Sequence, residues 1–164
     1  MLTLFMMGEL ELSAKVAEEK TMKILDVMKE TAKVKEIMMG APVTLKPEDT
    51  LDLANDIMSL GQIRHLPIVE NGKLVGILSQ RDLFGAAVDK IFKLRVRQQR
   101  ELLKSFQIRE IMHRKVISVT PDTIIKEAAH LMAEKKIGSL PVLEGNELVG
   151  LVTSTNILRY LAKP

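Results

Sequence analysis

An internal repeat is the feature that most constrains the fold of this chain. Shifting the 164-residue sequence by 74 positions places Val34–Leu83 on Ile108–Ile157 without a gap, and thirteen of the fifty aligned positions are identical. The identical positions include Met38 with Met112 and Gly76 with Gly150. A supersecondary unit of this size cannot bury its own apolar face, so the two copies are expected to pack against each other.

Each copy predicts the same order of elements: strand, helix, strand, strand, helix. The first helix follows a proline and an acidic residue, and its apolar side chains recur at helical spacing. Gly61 is expected to end this helix with a positive φ. The last two strands flank an Asn-Gly or Gly-Asn turn, which favours positive φ. The expected strands are Val43–Leu45, His65–Val69 and Lys73–Ser79, then Ile117–Val119, Ser139–Leu143 and Glu147–Thr153.

Composition narrows the class of protein. Apolar residues make up 46% of the chain, enough for a buried core, and the formal charge of +3 does not by itself indicate a nucleic-acid partner. The absence of cysteine excludes disulfides and thiolate metal sites and is typical of the cytoplasm, the expected location. No apolar run approaches the roughly 18–20 residues that span a bilayer. Segment Met1–Met7 is apolar without a basic leader, so we interpret it as a partner contact rather than a secretory signal.

Two segments outside the repeat are predicted to be helical. Ser13–Lys29 is expected to cap the repeats or to form a dimer contact. The segment 84–107 joins the copies and combines apolar residues with Lys90, Lys93, Arg95, Arg97, Arg100 and Lys104. Its basic side chains are either a solvated face or a docking surface for an acidic partner, anionic lipid or nucleic acid.

Polar side chains recur where the last strand of each copy meets its second helix. Ser79-Gln80-Arg81-Asp82 in the first copy corresponds to Thr153-Ser154-Thr155-Asn156 in the second. A hydroxyl followed three residues later by an acid is a capping box, which needs no ligand. The same carboxylate can accept two hydrogen bonds from a ribose diol, while a hydroxyl and free helix N–H groups can meet a phosphate. Both interpretations remain open from the sequence.

Catalytic and metal sites are not indicated. His65, His113 and His130 are the only histidines and none has metal-ligand spacing to another. The sequence has no phosphate-binding lysine loop, no nucleophile-elbow serine motif and no dinucleotide-binding glycine motif. We therefore expect a protein that is not an enzyme and that requires no metal or resident cofactor.

The ordered set of motifs, present twice, resembles the cystathionine-β-synthase (CBS) domain family. The resemblance covers Val34–Gly85 and Ile108–Leu161 and rests on Leu66-Pro67-Ile68-Val69, on residues 74–82, and on their second-copy counterparts. It implies an α+β fold with tandem β-α-β-β-α repeats packed about a pseudo-twofold axis. The expected organisation is an N-terminal helical extension (1–33), repeat one (34–85), a helical linker (86–107) and repeat two (108–164).

The resemblance also implies where a ligand would bind. In the family the acid at the position of Asp82 holds a ribose, and a basic pair at the position of Arg64-His65 touches phosphates. Asn156 departs from the pattern because its amide accepts without charge assistance, so its cleft is expected to be weaker or differently selective. One cleft would contain Asp82, Ser79, Arg81, His113, Lys115, Val116 and Ile117, and the other Asn156, Thr153, Thr155, Arg64, His65, Met39 and Val43.

These features lead to a hypothesis and two alternatives. The hypothesis is a non-catalytic regulatory and energy-sensing module that binds AMP, ADP or ATP, with S-adenosylmethionine and NAD less favoured, and that signals to a partner protein by changing conformation. A homodimer is expected because CBS units of the family usually pair. The alternatives are a scaffolding protein with vestigial clefts and a nucleic-acid-binding protein that uses the basic linker.

Overall fold

The computed structural model describes residues 31–91 and 96–162. Two 3-10 turns, Val34–Glu36 and Ile108–Glu110, each precede one set of elements. The predicted helix Ser13–Lys29 lies outside the described residues. In chain order the helices and strands are β1 (Met39–Gly40), α1 (Leu51–Gly61), β2 (His65–Glu70), β3 (Lys73–Ser79), α2 (Gln80–Ile91), α3 (Val96–Lys104), α4 (Ile125–Lys135), β4 (Ser139–Glu144), β5 (Glu147–Thr153) and α5 (Ser154–Leu161).

Two antiparallel hairpins organise the molecule, as the repeat predicts. Strands β2 and β3 form one sheet, while β4 and β5 form a second sheet to which β1 adds as an edge strand. The hairpins also share a register irregularity at equivalent positions, after Ile68 and after Val142. In the first turn Asn71 and Gly72 both have positive φ, 50° and 76°, as the favoured two-residue turn requires. The predicted α+β class is confirmed.

Two local predictions need correction. The expected strands Val43–Leu45 and Ile117–Val119 each contribute only a single parallel bridge, from Leu45 to Ile68 and from Val119 to Val142. Gly61 was expected to carry the positive φ that ends α1, but it is the last helical residue, and Gln62 adopts the left-handed conformation with φ 50°. Lys136 adopts the same conformation after α4, with φ 54°.

The segment at the start of each repeat packs on the other repeat. We call residues 31–40 the first arm and residues 105–114 the second arm. Val34 is buried in the core that contains α4, β4 and β5, whereas Ile108 is buried in the core that contains α1, β2 and β3. The backbone bonds are reciprocal: Val34 donates to the Thr123 carbonyl at 2.8 Å, and Ile108 donates to the Asp49 carbonyl at 2.8 Å. We call the first unit the one that contains α1, β2, β3 and α2, and the second unit the one that contains α4, β4, β5 and α5. The exchange of arms relates these two units by a pseudo-twofold axis.

Each arm crosses the opposite sheet at a glycine. A Cβ added to Gly76 would lie 2.6 Å from Met112 Sδ, and one added to Gly150 would lie 2.6 Å from Met38 Sδ. A real Cβ cannot approach a sulfur that closely, so glycine is required wherever the arm's methionine packs flat on the strand. This contact explains why the same methionine and glycine occur in both copies.

The described part of the linker packs on the first unit. Leu103 and Phe106 join the first hydrophobic core, and Arg100 of α3 forms an ion pair with Asp56 of α1 at 2.6 Å. Lys104 pairs with Glu101 of its own helix at 2.9 Å. Lys93 and Arg95 lie outside the described residues, and the description does not extend to the side chains of Lys90 and Arg97. Among helices in the described ranges, none is long and apolar enough to cross a membrane.

Candidate functional site

A cleft of about 1370 Å³ lies between the two units. It is bordered by the starts of β2 and β4, by the strand-to-helix junctions that open α2 and α5, and by residues on or just after both arms. The two clefts expected from the resemblance are parts of this one continuous space. The fourteen candidate residues all lie on its walls: Asp82, Ser79, Arg81, Lys115, Val116, Ile117, His113, Asn156, Thr153, Thr155, Arg64, His65, Met39 and Val43.

Asp82 uses one carboxylate oxygen to cap its own helix. Its Oδ2 accepts from the Ser79 backbone N–H at 2.9 Å and from the Ser79 hydroxyl at 2.5 Å. The Asp82 N–H donates back to Ser79 Oγ at 3.2 Å. This reciprocal arrangement is a complete capping box, and it fixes the orientation of the carboxylate.

The other oxygen of Asp82 faces the second arm. Oδ1 lies 2.9 Å from His113 Nε2, and the two side chains are 19% and 66% exposed, respectively. Partial burial tends to raise the pKa of Asp82, but the hydrogen bonds from Ser79 and the His113 contact outweigh it and hold that pKa below its ordinary value of 3.8. Asp82 is therefore ionised at neutral pH, with one oxygen engaged by a largely exposed and displaceable partner.

The equivalent junction in the second unit is neutral. Asn156 Oδ1 accepts from the Thr153 N–H at 2.9 Å and from the Thr153 hydroxyl at 2.6 Å, so the cap is preserved. The position equivalent to His113 is occupied by Met39, which is 41% exposed. This half of the cleft has neither the carboxylate nor the imidazole of the first half.

His65 lies where the two units meet. A Cβ added to Gly138, the counterpart of Arg64, would lie 3.2 Å from the His65 imidazole. Burial and the neighbouring Arg64 and Arg81 cations lower the pKa of His65 from 6.5, and the opposing pull of Asp82 only partly offsets them. The Arg64 carbonyl accepts from the Gln80 N–H at 2.8 Å, which places this strand start beside the first turn of α2.

The cleft also contains cations that the motif comparison did not single out. Lys136 follows α4, and Arg159 lies on α5; both border the cleft. Their repeat counterparts are Gln62 and Gly85, so a search for identical positions passes over them. A comparison of charge between the two copies would have found them. Within the described ranges, no group of three or more histidine, aspartate or glutamate side chains has the arrangement of a metal site.

The chain was also compared with known families. Residues 34–89 and 108–163 each match the sequence profile of the CBS domain. The chain belongs to the CBS-domain family. The predicted family membership is thereby confirmed. The two units with their exchanged arms and paired hairpins are the two CBS domains of this chain.

Relatives of similar length carry the same domain pair. The chain is 34% identical over 133 residues to a CBS domain-containing protein of Dictyostelium discoideum, covering 79% of this chain and 91% of that protein. A solved acetoin utilization protein from Vibrio cholerae is 38% identical, with 80% and 90% of the two chains covered and a TM-score of 0.67. The CBS domain pair of protein MJ0100, solved in complex with 5-methylthioadenosine and S-adenosyl-L-methionine, is 32% identical, with 80% and 96% covered and a TM-score of 0.67.

The CBS pair also occurs within longer enzymes. The chain is 32% identical to part of the inosine-5′-monophosphate dehydrogenase of Korarchaeum cryptofilum, but it spans only 23% of that enzyme. The similarity thus leaves most of the enzyme unmatched.

Proposed function

We propose that this CBS pair is a regulatory module without catalytic activity that binds an adenosine-containing ligand, of the AMP, ADP or ATP type, in the cleft between its units. The observation that carries the proposal is the orientation of Asp82. Its Oδ2 is held by Ser79, while Oδ1 points to His113 of the second arm, which borders the cleft, rather than back to its own main chain.

The Asp82 carboxylate suits a ribose diol. Two vicinal hydroxyls can donate to the two oxygens of an ionised carboxylate, and such charge-assisted bonds contribute about 1.5–3 kcal/mol each. The His113 side chain is 66% exposed, so it can move aside without leaving a buried group unpaired. Ser79 would keep the carboxylate oriented throughout, which lowers the entropic cost of binding.

Binding at this position would couple the two units. Asp82 belongs to the first unit, whereas His113 lies on the arm that leads into the second, and its N–H also bonds the Ile77 carbonyl of β3 at 2.9 Å. A ligand that replaces His113 on Asp82 would act on the segment that leads from the first unit into the second, and it can shift their arrangement by as much as its affinities for the two arrangements differ. A coupling free energy of about 1–2 kcal/mol changes a partner's affinity about fivefold to thirtyfold.

The MJ0100 complex supports the adenosine part of the proposal, since both of its ligands contain adenosine. The match to the dehydrogenase spans only 23% of that enzyme, which supports a module without catalytic activity. By analogy with the family, the chain would act as a homodimer in the cytoplasm and signal to a separate protein.

A scaffolding role is the second candidate, because the capping boxes at Asp82 and Asn156 are complete without any ligand. Isothermal titration of adenosine nucleotides into the wild-type protein and into Asp82→Asn separates the two. Asparagine preserves the cap, as Asn156 shows, but removes the charge, so Asp82→Asn should weaken binding at least about tenfold. Absence of binding to the wild-type protein by every adenosine compound tested would favour the scaffold.

A further inference from the structure

The chain enters the described part of the structure beside the start of α4. Ala32 is buried in the second core, and its carbonyl accepts from the Ile125 N–H at 2.9 Å. Lys33 forms an antiparallel bridge with Ile124. Residues 1–30 therefore join the second unit at the first turn of α4.

The first unit shows how a segment that enters at this point packs. At the equivalent position the Phe106 carbonyl accepts from the Leu51 N–H at 3.1 Å, beside the start of α1. The preceding helix, α3, runs back along α1, since Arg100 pairs with Asp56 at 2.6 Å and Leu103 joins the first core. The two helices therefore lie antiparallel, with the end of α3 beside the start of α1.

The repeat supplies the same parts in the second unit. The 74-residue shift places residues 22–30 on α3 and places α4 on α1. Leu25, Met28 and Ala32 have the spacing of one apolar face of a helix. Ala32, the last of the three, is already buried in the second core. A helix that continues this face would bury Leu25 and Met28 on the second unit.

The exposed face of α4 differs in charge from that of α1. Glu127 and Glu134 are exposed and occupy the positions of Leu53 and Leu60. They are seven residues apart, so they lie on one face of α4. The second unit thus presents an acidic face where the first presents leucines that are 41% and 87% exposed.

The segment before the first arm carries the complementary charge. In an antiparallel arrangement that copies α3 on α1, Lys29 lies opposite Glu127 and Lys23 lies near Glu134. Glu134 already bonds Lys135 beside it at 2.6 Å, so Lys29 with Glu127 is the more informative pair. Exposed ion pairs contribute little stability. The apolar face supplies the stabilisation, and the charges favour this register.

The ion pair of the first unit is not copied in the second. Asp26 and His130 occupy the positions of Arg100 and Asp56. This pair reaches less far than arginine with aspartate, and it has no opposite charges when the histidine is neutral. The complementary charges of the second unit lie at the flanking positions instead.

We propose that residues 22–30 form a helix that packs antiparallel on α4 of the same chain, with Leu25 and Met28 toward the second core and Lys29 beside Glu127. The segment precedes the residues that match the CBS profile, 34–89 and 108–163, so it is an addition of this chain to the domain pair. It leads directly into the first arm and would hold that arm on the second unit. Attachment beside α4 gives it a high effective concentration there, which favours this contact over one with a second copy.

Cross-linking tests the contact, because the chain contains no cysteine. The full-length variant Lys29→Cys/Glu127→Cys, treated with a short bismaleimide, should cross-link within one chain. Asp56→Cys/Arg100→Cys is the positive control, since the structure shows that contact. Lys29→Cys/Asp56→Cys is the negative control, because it pairs the segment with the helix of the other unit.

Amide hydrogen exchange provides a second readout that needs no cross-linker. Leu25→Ala/Met28→Ala should speed exchange in α4 at least about tenfold, because these side chains would pack against it. The matched control Val27→Ala changes a residue off the apolar face and should leave α4 unaffected.

Each contrary result has a definite meaning. A cross-link between chains rather than within one would assign the segment to a dimer contact and overturn the proposal. Failure of position 29 to react with position 127, while the positive control reacts, also overturns it. Equal reaction with positions 127 and 56, or an equal effect of Val27→Ala on α4, would show that the segment has no fixed place on α4.

Discussion

His113 Nε2 lies 2.9 Å from Asp82 Oδ1, and this contact ties the second arm to the first turn of α2. The two residues come from different repeats, and the backbone of His113 is held on β3 by its bond to the Ile77 carbonyl. A ligand that replaces His113 on Asp82 therefore acts where the second arm contacts the first unit.

The two functions of Asp82 can be separated by stability measurements. Asp82→Ala removes the carboxylate half of the capping box as well as the charge and should lower the free energy of unfolding by about 0.5–2 kcal/mol. Asp82→Asn keeps the cap and should cost less, and His113→Ala should cost below about 1 kcal/mol because that side chain is mostly exposed. Urea denaturation measures all three, and an equal loss for alanine and asparagine at position 82 would contradict the capping role.

Close packing of arms on glycines should make those glycines intolerant of a methyl group. Gly150→Ala would place a Cβ 2.6 Å from Met38 Sδ and 3.1 Å from the Met39 carbonyl, and should destabilise the protein by about 1–3 kcal/mol. Adding Met38→Ala should recover part of the loss, because the sulfur contact disappears while the carbonyl contact stays. Thermal denaturation monitors the pair of variants.

Gly85→Ala is the matched control for that experiment. Nothing lies within 4 Å of a Cβ at Gly85, which is within α2, so alanine should stabilise the helix by roughly 0.5–1 kcal/mol. If Gly150→Ala leaves the stability unchanged, the first arm does not pack closely on β5 in solution.

The stability of the protein should depend on pH through His65. Because burial and the Arg64 and Arg81 charges lower its folded-state pKa below 6.5, the unfolded chain binds more protons just below that pH. The stabilisation is complete above pH 6.5 and is lost as the pH falls below 6.5 toward the folded-state pKa. Unfolding free energies at pH 7.5 and 5.5 should differ less in His65→Gln than in the wild-type protein.

His130→Gln provides the comparison, since His130 is exposed on α4. It should keep the wild-type difference between the two pH values. If His65→Gln keeps that difference too, the neutral imidazole of His65 is not the group responsible.

The arm exchange predicts that substitutions act on the opposite unit. Ile108 is fully buried, and Ile108→Ala should cost about 2–5 kcal/mol. Its effect on local opening should be largest in the first unit, on β2 and β3, although position 108 belongs to the second repeat by sequence. Val34→Ala should do the converse, loosening β4 and β5, and amide hydrogen exchange of the two variants reports which hairpin opens. If amide hydrogens exchange faster in the hairpin of the substituted repeat itself, the exchange of arms between the units is contradicted.

Local chemistry let the sequence determine much of this protein. The hairpins follow from turn residues such as Asn71-Gly72, the helices from apolar spacing, and the caps at Asp82 and Asn156 from contacts three residues apart. Such interactions depend only on neighbours in the chain, so the pattern carries them directly. The repeated methionines and glycines were visible as well, but nothing in the sequence showed that each touches the other unit.

The tertiary structure alone decided how the two copies combine. Three features bring together parts of the chain that are distant in sequence: the exchange of the arms, the approach of His113 to Asp82, and the cleft that both repeats line. Their geometry is set by how two hairpins and their helices bury apolar surface together, which no local pattern encodes. The repeat predicts the helices and strands of each unit, because these elements depend on contacts that are local in sequence. The charged cleft exists only because two units with different surface charges pack face to face.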